Sequence, residues 1–154
     1  MATALGYLHE EKLVIHRDIK PEDMFLKFST PDDVPPVLVL GDFGLSSPMN
    51  DTHGVSGSPG YFSPKCKQSL SLEEHARDKG VQTPKLDMYC FGAVLSCLLT
   101  SELFDNRREE SKSHLLRPKL ARAKAPDNTR EFTIRCLSEQ PEDRPETLEF
   151  VQLD

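Results

Sequence analysis

The chain has no tryptophan, only four cysteines among 154 residues, and no long apolar run. Each absence removes a class. Cys66, Cys90, Cys97 and Cys136 form no CxxC pair, and the five histidines are scattered. That argues against a disulfide scaffold and against a structural zinc site, and reads as reduced thiols in a cytoplasmic or nuclear protein. No stretch approaches the roughly 18 apolar residues that a transmembrane helix needs. No basic segment followed by an apolar one opens the chain, so no signal peptide is expected. A basic excess is also lacking: 19 Lys and Arg stand against 25 Asp and Glu, a net charge of −6. Neither nucleic acid nor an anionic membrane is therefore an expected partner.

What remains is an ordinary globular composition, 37% hydrophobic and 29% charged, at a length suited to one domain. A chain of this size buries roughly 68–70% of the surface its unfolded form exposes, enough for a core without staples.

Along the chain, residues 1–10 read as the tail of a helix with Ala4, Leu5 and Leu8 on one face. Leu13-Val14-Ile15 is a short apolar run, and His16 to Pro21 is a polar loop closed by proline. Met24–Phe28 and Val37–Leu40 read as two strands of a hairpin joined by a turn-rich connection at 29–36. Residues 42–65 carry four glycines and three prolines, a long irregular segment of the kind that is usually functional or disordered. Residues 67–84 read as a loop with a helical turn. Residues 86–99 are apolar nearly all round, which suits a helix buried on every side. Residues 105–125 are charged and exposed, without a clear element. Asn128 and Glu131 resemble a capping box, and Pro145 fits the first turn of a last helix carrying Leu148 and Val151. The expected fold is mainly α with a small β hairpin.

The chemistry gathers at the two ends of that hairpin. The loop before it presents Asp18, Lys20 and Asp23; the residues after it present Asp42. Hairpin geometry brings these ends together. Carboxylates suit Mg²⁺, a hard cation that takes oxygen ligands, and a lysine beside them suits a phosphate oxygen. The combination points to metal-assisted phosphoryl transfer.

Five segments, in order, resemble the eukaryotic protein kinase family. His16-Arg17-Asp18-Ile19-Lys20-Pro21-Glu22-Asp23 is similar to its catalytic loop (16–23), and Asp42-Phe43-Gly44 to its magnesium motif (42–44). Gly57 to Pro64 resembles the end of an activation segment spanning 42–65, Asp87 to Gly92 the start of the buried central helix, and Pro141 to Pro145 a late motif with a structural arginine. The resemblance spans residues 1–154 and implies the larger, C-terminal lobe of a Ser/Thr-type kinase domain. It implies ATP and Mg²⁺ as cofactors, and a protein substrate or regulatory protein as partner.

By that resemblance Asp18 serves as catalytic carboxylate and Lys20 steadies the transferred phosphate. Asp42 and Asp23 hold the metal, Asp23 standing where the family has asparagine. Phe25 lies beneath the adenine. His16, Phe43, Gly44 and Asp87 form the internal scaffold, and Ser58 offers its hydroxyl toward Asp18 and Lys20. Arg17 pairs with a phosphorylated residue of the segment, with Thr52 and Ser56 as candidates. Lys65 stands where the family's segment ends in glutamate, so Arg144 is expected to lack its carboxylate partner. No Gly-rich phosphate loop and no strand lysine with its partner glutamate occur in these residues. The expectation is a lobe inactive on its own. The alternatives are a pseudokinase-like binding or scaffold module, and a truncated fragment without function.

Overall fold

In the computed structural model, which describes residues 1–28, 36–51, 54–70, 82–107, 113–147 and 149, the chain opens with helix α1 (Ala2–Gly6). It runs on into a π-helical turn at Tyr7–Glu11, and Ala2, Leu5 and His9 face the interior. Leu13, at φ 51°, turns the backbone into strand β1 (Val14–Ile15). Beyond the loop 16–20, a 3-10 turn at Pro21–Asp23 leads into β2 (Met24–Lys27). This strand pairs antiparallel with β3 (Val37–Leu40), Met24 opposite Leu40 and Lys27 opposite Val37. The hairpin is the one expected, ending one residue before Phe28. The Gly41 amide donates to the Asp23 carbonyl at 2.9 Å, so the ladder continues past the strands and ties the loop before β2 to the residues after β3.

A second pairing was not legible. β4 (Ser47–Pro48) lies against β1, with Val14 opposite Pro48 and Ile15 opposite Ser47. A two-residue strand has no alternation to read, and its proline, tolerated only at a sheet edge, argues against strand.

Four helices follow among the described residues. α2 (Pro64–Leu70) begins with proline in its first turn, where the missing N–H does no harm, and occupies part of what the sequence reads as loop. α3 (Pro84–Thr100) is the buried helix, and α4 (Ser113–Arg122) lies within the charged stretch left without an element. α5 (Asp127–Cys136) corrects the capping expectation. Its N-cap is Pro126, whose carbonyl accepts from the Arg130 amide at 3.1 Å. Asn128 is already inside the first turn, and its side chain accepts from the Thr129 amide instead. A 3-10 turn at Pro141–Asp143 follows, and Arg144 to Glu146 carry no regular helix. Leu148 and Val151, expected on a last helix, and Thr52 lie outside the described residues.

α3 is the axis of the fold because both apolar clusters pack on it. Leu5, Ile19, Leu40, Cys66 and Phe132 gather on one side around Phe91 and Met88. Phe104, Leu116, Leu120 and Leu137 gather on the other around Tyr89 and Ala93. Leu116 and Leu120 sit four apart, the spacing that puts two side chains on one helix face. No helix among the described residues is long and apolar enough to cross a membrane.

α3 and α5 approach closely at Gly92. A Cβ added there meets the Cys136 Cβ at 2.5 Å and the Cys136 carbonyl carbon at 3.3 Å. Alanine is favoured over glycine in a helix interior by about 1 kcal/mol, but overpacking against backbone costs about 1–3 kcal/mol. The clash prevails because α5 must move as a body to relieve it. Gly92→Ala is therefore expected to lower the urea-unfolding midpoint; an unchanged or higher midpoint contradicts the close-packed crossing.

Candidate active site

The site is built outward from Asp87, which is fully buried in the first turn of α3. Its Oδ2 accepts from the His16 amide at 2.8 Å and its Oδ1 from the Arg17 amide at 2.9 Å. The His9 ring lies 2.8 Å from Oδ2 through Nε2 and 2.7 Å from the Thr147 hydroxyl through Nδ1. One carboxylate thus ties the amino-terminal π turn, the loop 16–20 and the central helix together. It holds Arg17 at φ 76°, a left-handed conformation that a bulky residue rarely adopts. His16 braces the other end: its Nε2 donates to the Gly41 carbonyl at 2.9 Å, and its ring lies 5.0 Å from that of Phe43.

On this frame stand the charged groups. Asp18, itself buried, accepts the Lys20 ammonium at 2.5 Å through Oδ2 and the Ser58 amide at 2.6 Å through Oδ1. Ser58 therefore meets Asp18 through its backbone N–H. Lys20 also lies 3.4 Å from Asp23 Oδ2, an ion-pair distance without hydrogen-bond geometry. Burial works against the Lys20 ammonium, but the hydrogen bond and charge of Asp18, with Asp23 adding, prevail and raise its pKa. For Asp23, burial raises the carboxyl pKa and Lys20 lowers it. The charges of Asp18 and Asp42 raise it again, and the net shift is upward.

Asp42 adopts φ 57°, and its Oδ1 accepts from the Gly44 amide at 3.2 Å. Phe25 lies against Gly41, where a Cβ would sit 2.7 Å from its ring, and is otherwise exposed, as is Phe43.

The structure thus brings Asp18, Lys20 and Asp23 into direct contact and places Asp42 within charge range of Asp23. Among the described residues no three acidic, His or Cys side chains converge as a ready-made cation cage. The pair Asp23 and Asp42 nevertheless fits Mg²⁺, which commonly takes only one or two carboxylates and completes its shell with water and phosphate. Among the described residues the buried Asp23 Oδ2 has no hydrogen-bond partner and only the Lys20 ammonium at 3.4 Å, so it keeps acceptor capacity that a cation would satisfy.

Arg144 is buried and carries no carboxylate partner among the described residues, yet it is satisfied. Its guanidinium donates to the carbonyls of Ser138 (2.9 Å), Lys85 (3.0 Å) and Glu139 (3.2 Å). It also stacks 5.0 Å over the ring of Tyr89, whose phenol burial pushes up to about 12. Lys65 is exposed. The arginine joins α3 to the chain beyond α5 without calling on the activation segment.

His9, Thr147 and Gln82 were missed by sequence reasoning. A histidine seven residues before the nearest motif looks like a surface residue until the fold buries it. Gly57 stands in the activation-segment motif, but its close packing on the loop carries no local signal. At φ 122° a Cβ there would lie 2.6 Å from the Arg17 carbonyl.

Two carboxylates in one site are expected to respond oppositely to amide replacement. Asp87→Asn removes an acceptor from a buried network and should cost about 3 kcal/mol in urea unfolding; a loss below about 1 kcal/mol, the scale of a single net hydrogen bond, contradicts its anchoring role. Asp23→Asn removes a charge that burial disfavours first and the repulsion from Asp18 and Asp42 disfavours further. Because the folded state raises the Asp23 pKa, ionisation above the ordinary carboxylate value costs stability. The Asn variant should therefore be more stable at neutral pH without Mg²⁺, and a loss of stability there overturns the repulsion.

The comparisons identify the family. The family profile described as the protein kinase domain matches residues 1–154. Over 98% of the chain it is 31% identical to the leucine-rich repeat serine/threonine-protein kinase 1 of Caenorhabditis elegans, covering 6% of that protein. Over 97% it is 29% identical to a putative mitogen-activated protein kinase kinase kinase 7-like protein of Drosophila melanogaster, covering 37% of it. Over 99% it is 29% identical to the interferon-induced, double-stranded RNA-activated protein kinase of Rattus norvegicus, covering 27% of it. The chain thus spans well under half the length of these curated relatives. With its motifs in order and its charged loop anchored on the central helix, the chain belongs to the protein kinase domain family, among relatives of the Ser/Thr type.

Proposed function

We propose that these residues are the larger lobe of a Ser/Thr protein kinase domain and transfer the γ-phosphoryl group of ATP to a protein hydroxyl. The observation that carries the reading is the buried Asp18, held at 2.5 Å by Lys20 and at 2.6 Å by the Ser58 amide. A carboxylate so positioned can orient a hydroxyl and accept its proton as the oxygen attacks. Lys20 lies where it can meet a phosphate oxygen, exchanging part of its contact with Asp18 for the incoming charge.

Asp23 and Asp42 would hold Mg²⁺, which when bound neutralises charge on the phosphates. Phe25, exposed at the hairpin end and backed by Gly41, offers an apolar surface for the adenine. The pocket of about 430 Å³ beside Lys20, Glu22, Ser58, Tyr61 and Asp105 would receive a substrate segment next to the lysine that contacts Asp18.

The phosphate-covering loop and the lysine–glutamate pair are to be supplied by a smaller lobe outside these residues. The hairpin face is suited to receive it: Phe25, Val37 and Val39 lie on one side of the ribbon and are exposed. Without it, these residues alone are expected to be inactive. The same apolar face favours a second reading, a scaffold that holds a protein partner without transfer. Four free thiols, three of them buried, fit a reducing cytoplasmic or nuclear setting.

Asp18→Asn in the full-length protein separates the two readings. Phosphoryl transfer to protein substrate is expected to fall by at least about 100-fold while ATP binding, followed by a fluorescent analogue, stays unchanged. Turnover retained in the variant rejects Asp18 as the catalytic carboxylate. Absence of both transfer and nucleotide binding in the unmodified full-length protein supports the scaffold.

A further inference from the structure

Gln82 lies just before α3, is 1% exposed, and belongs to no motif. A buried glutamine must have its amide satisfied on both sides. Its Oε1 accepts from Arg17 Nε, and its Nε2 donates to the Ser56 carbonyl at 2.9 Å. The next two residues of the segment are also seated on the catalytic loop. Gly57 passes so close to the Arg17 carbonyl that a Cβ has no room, and the Ser58 amide donates to Asp18. Three consecutive residues are thus pinned to two consecutive residues of the loop. Among the described residues, Gln82 is the one of these pins that comes from the segment leading into α3 rather than from the loop itself.

We propose that Gln82 is a positioning residue: it holds Ser56–Ser58 against Arg17 and Asp18, and does so with no phosphate on the segment. A neutral amide offers one acceptor to the guanidinium and one donor to the backbone, so a single side chain bridges the two. A phosphate presents only acceptors and could serve the arginine but not the Ser56 carbonyl. Docking of the segment is then a property of the folded chain. The consequence for turnover rests on the phosphotransfer reading above; the docking does not.

The test is amide hydrogen exchange on the full-length protein, read at Ser58 and, for reference, at residues 88–96 of α3. In Gln82→Leu the Ser58 amide should exchange roughly tenfold faster or more, as expected for losing one to two net hydrogen bonds, with the reference unchanged. Unchanged exchange at Ser58 overturns the proposal. If Gln82→Leu loosens the whole domain, Gln82→Asn takes its place, with the same amide one methylene shorter. A local rise at Ser58 supports the proposal, and no rise or a global loss overturns it.

Phosphatase treatment of the unmodified protein should leave Ser58 protection intact, and its loss refutes the phosphate-free docking. Where transfer is measurable, Gln82→Leu should lower kcat/KM for the protein substrate and leave the KM for ATP unchanged. A rise in the ATP KM alone contradicts a positioning role. Absence of transfer in the unmodified protein bears only on the phosphotransfer reading, because the exchange result stands without it.

Discussion

One buried carboxylate organises the rest. Asp87 has no solvent to share its charge with, so it is stable only while the His16 and Arg17 amides and the His9 ring stay in place around it. The dependence runs both ways. The two amides belong to a loop with no regular structure of its own, and Arg17 sits in a conformation that its side chain disfavours. Charge-assisted hydrogen bonds, roughly twice as strong as neutral ones, supply what local propensity does not. A long apolar helix carries the acid that fixes a polar loop, and the loop places Asp18 and Lys20.

The same economy of parts appears at the hairpin. Gly41 closes the ladder onto Asp23, accepts His16 at its carbonyl, and leaves room for the Phe25 ring. Asp42 and Phe43 follow directly, so their positions relative to Asp23 are set by three short contacts rather than by packing. The site keeps unrelieved charge as a result: Asp23 is buried, faces two other carboxylates, and has only one ammonium nearby. Destabilised groups of this kind are usual where a ligand is to be bound, because the binding energy offsets the strain.

Much of this was legible beforehand, and the misses have causes. The hairpin, the central helix and the acidic loop declared themselves through alternation, an unbroken apolar run and the density of charge. The β1–β4 ribbon did not, since two residues carry no period. α4 did not, because Pro118 and its charged neighbours mask the Leu116 and Leu120 pair. The capping box failed on one residue, because Pro126 already supplied an extended N-cap and left Asn128 inside the helix. His9, Gln82 and the carbonyl cage around Arg144 are long-range contacts that no local pattern announces. The Ser58 amide donates to Asp18, a backbone contact that a side-chain reading does not announce.

The central claim is that the anchored loop and the hairpin end together form a nucleotide and metal site facing Asp18. The most direct measurement is a titration of the full-length protein with Mg²⁺ and a non-hydrolysable ATP analogue, followed by backbone amide resonances. The predicted result is a perturbation concentrated at Lys20, Asp23, Phe25, Asp42, Phe43 and Gly44, with the Asp87 partners His16 and Arg17 little changed. Perturbations centred elsewhere, or none at saturating analogue, would contradict it.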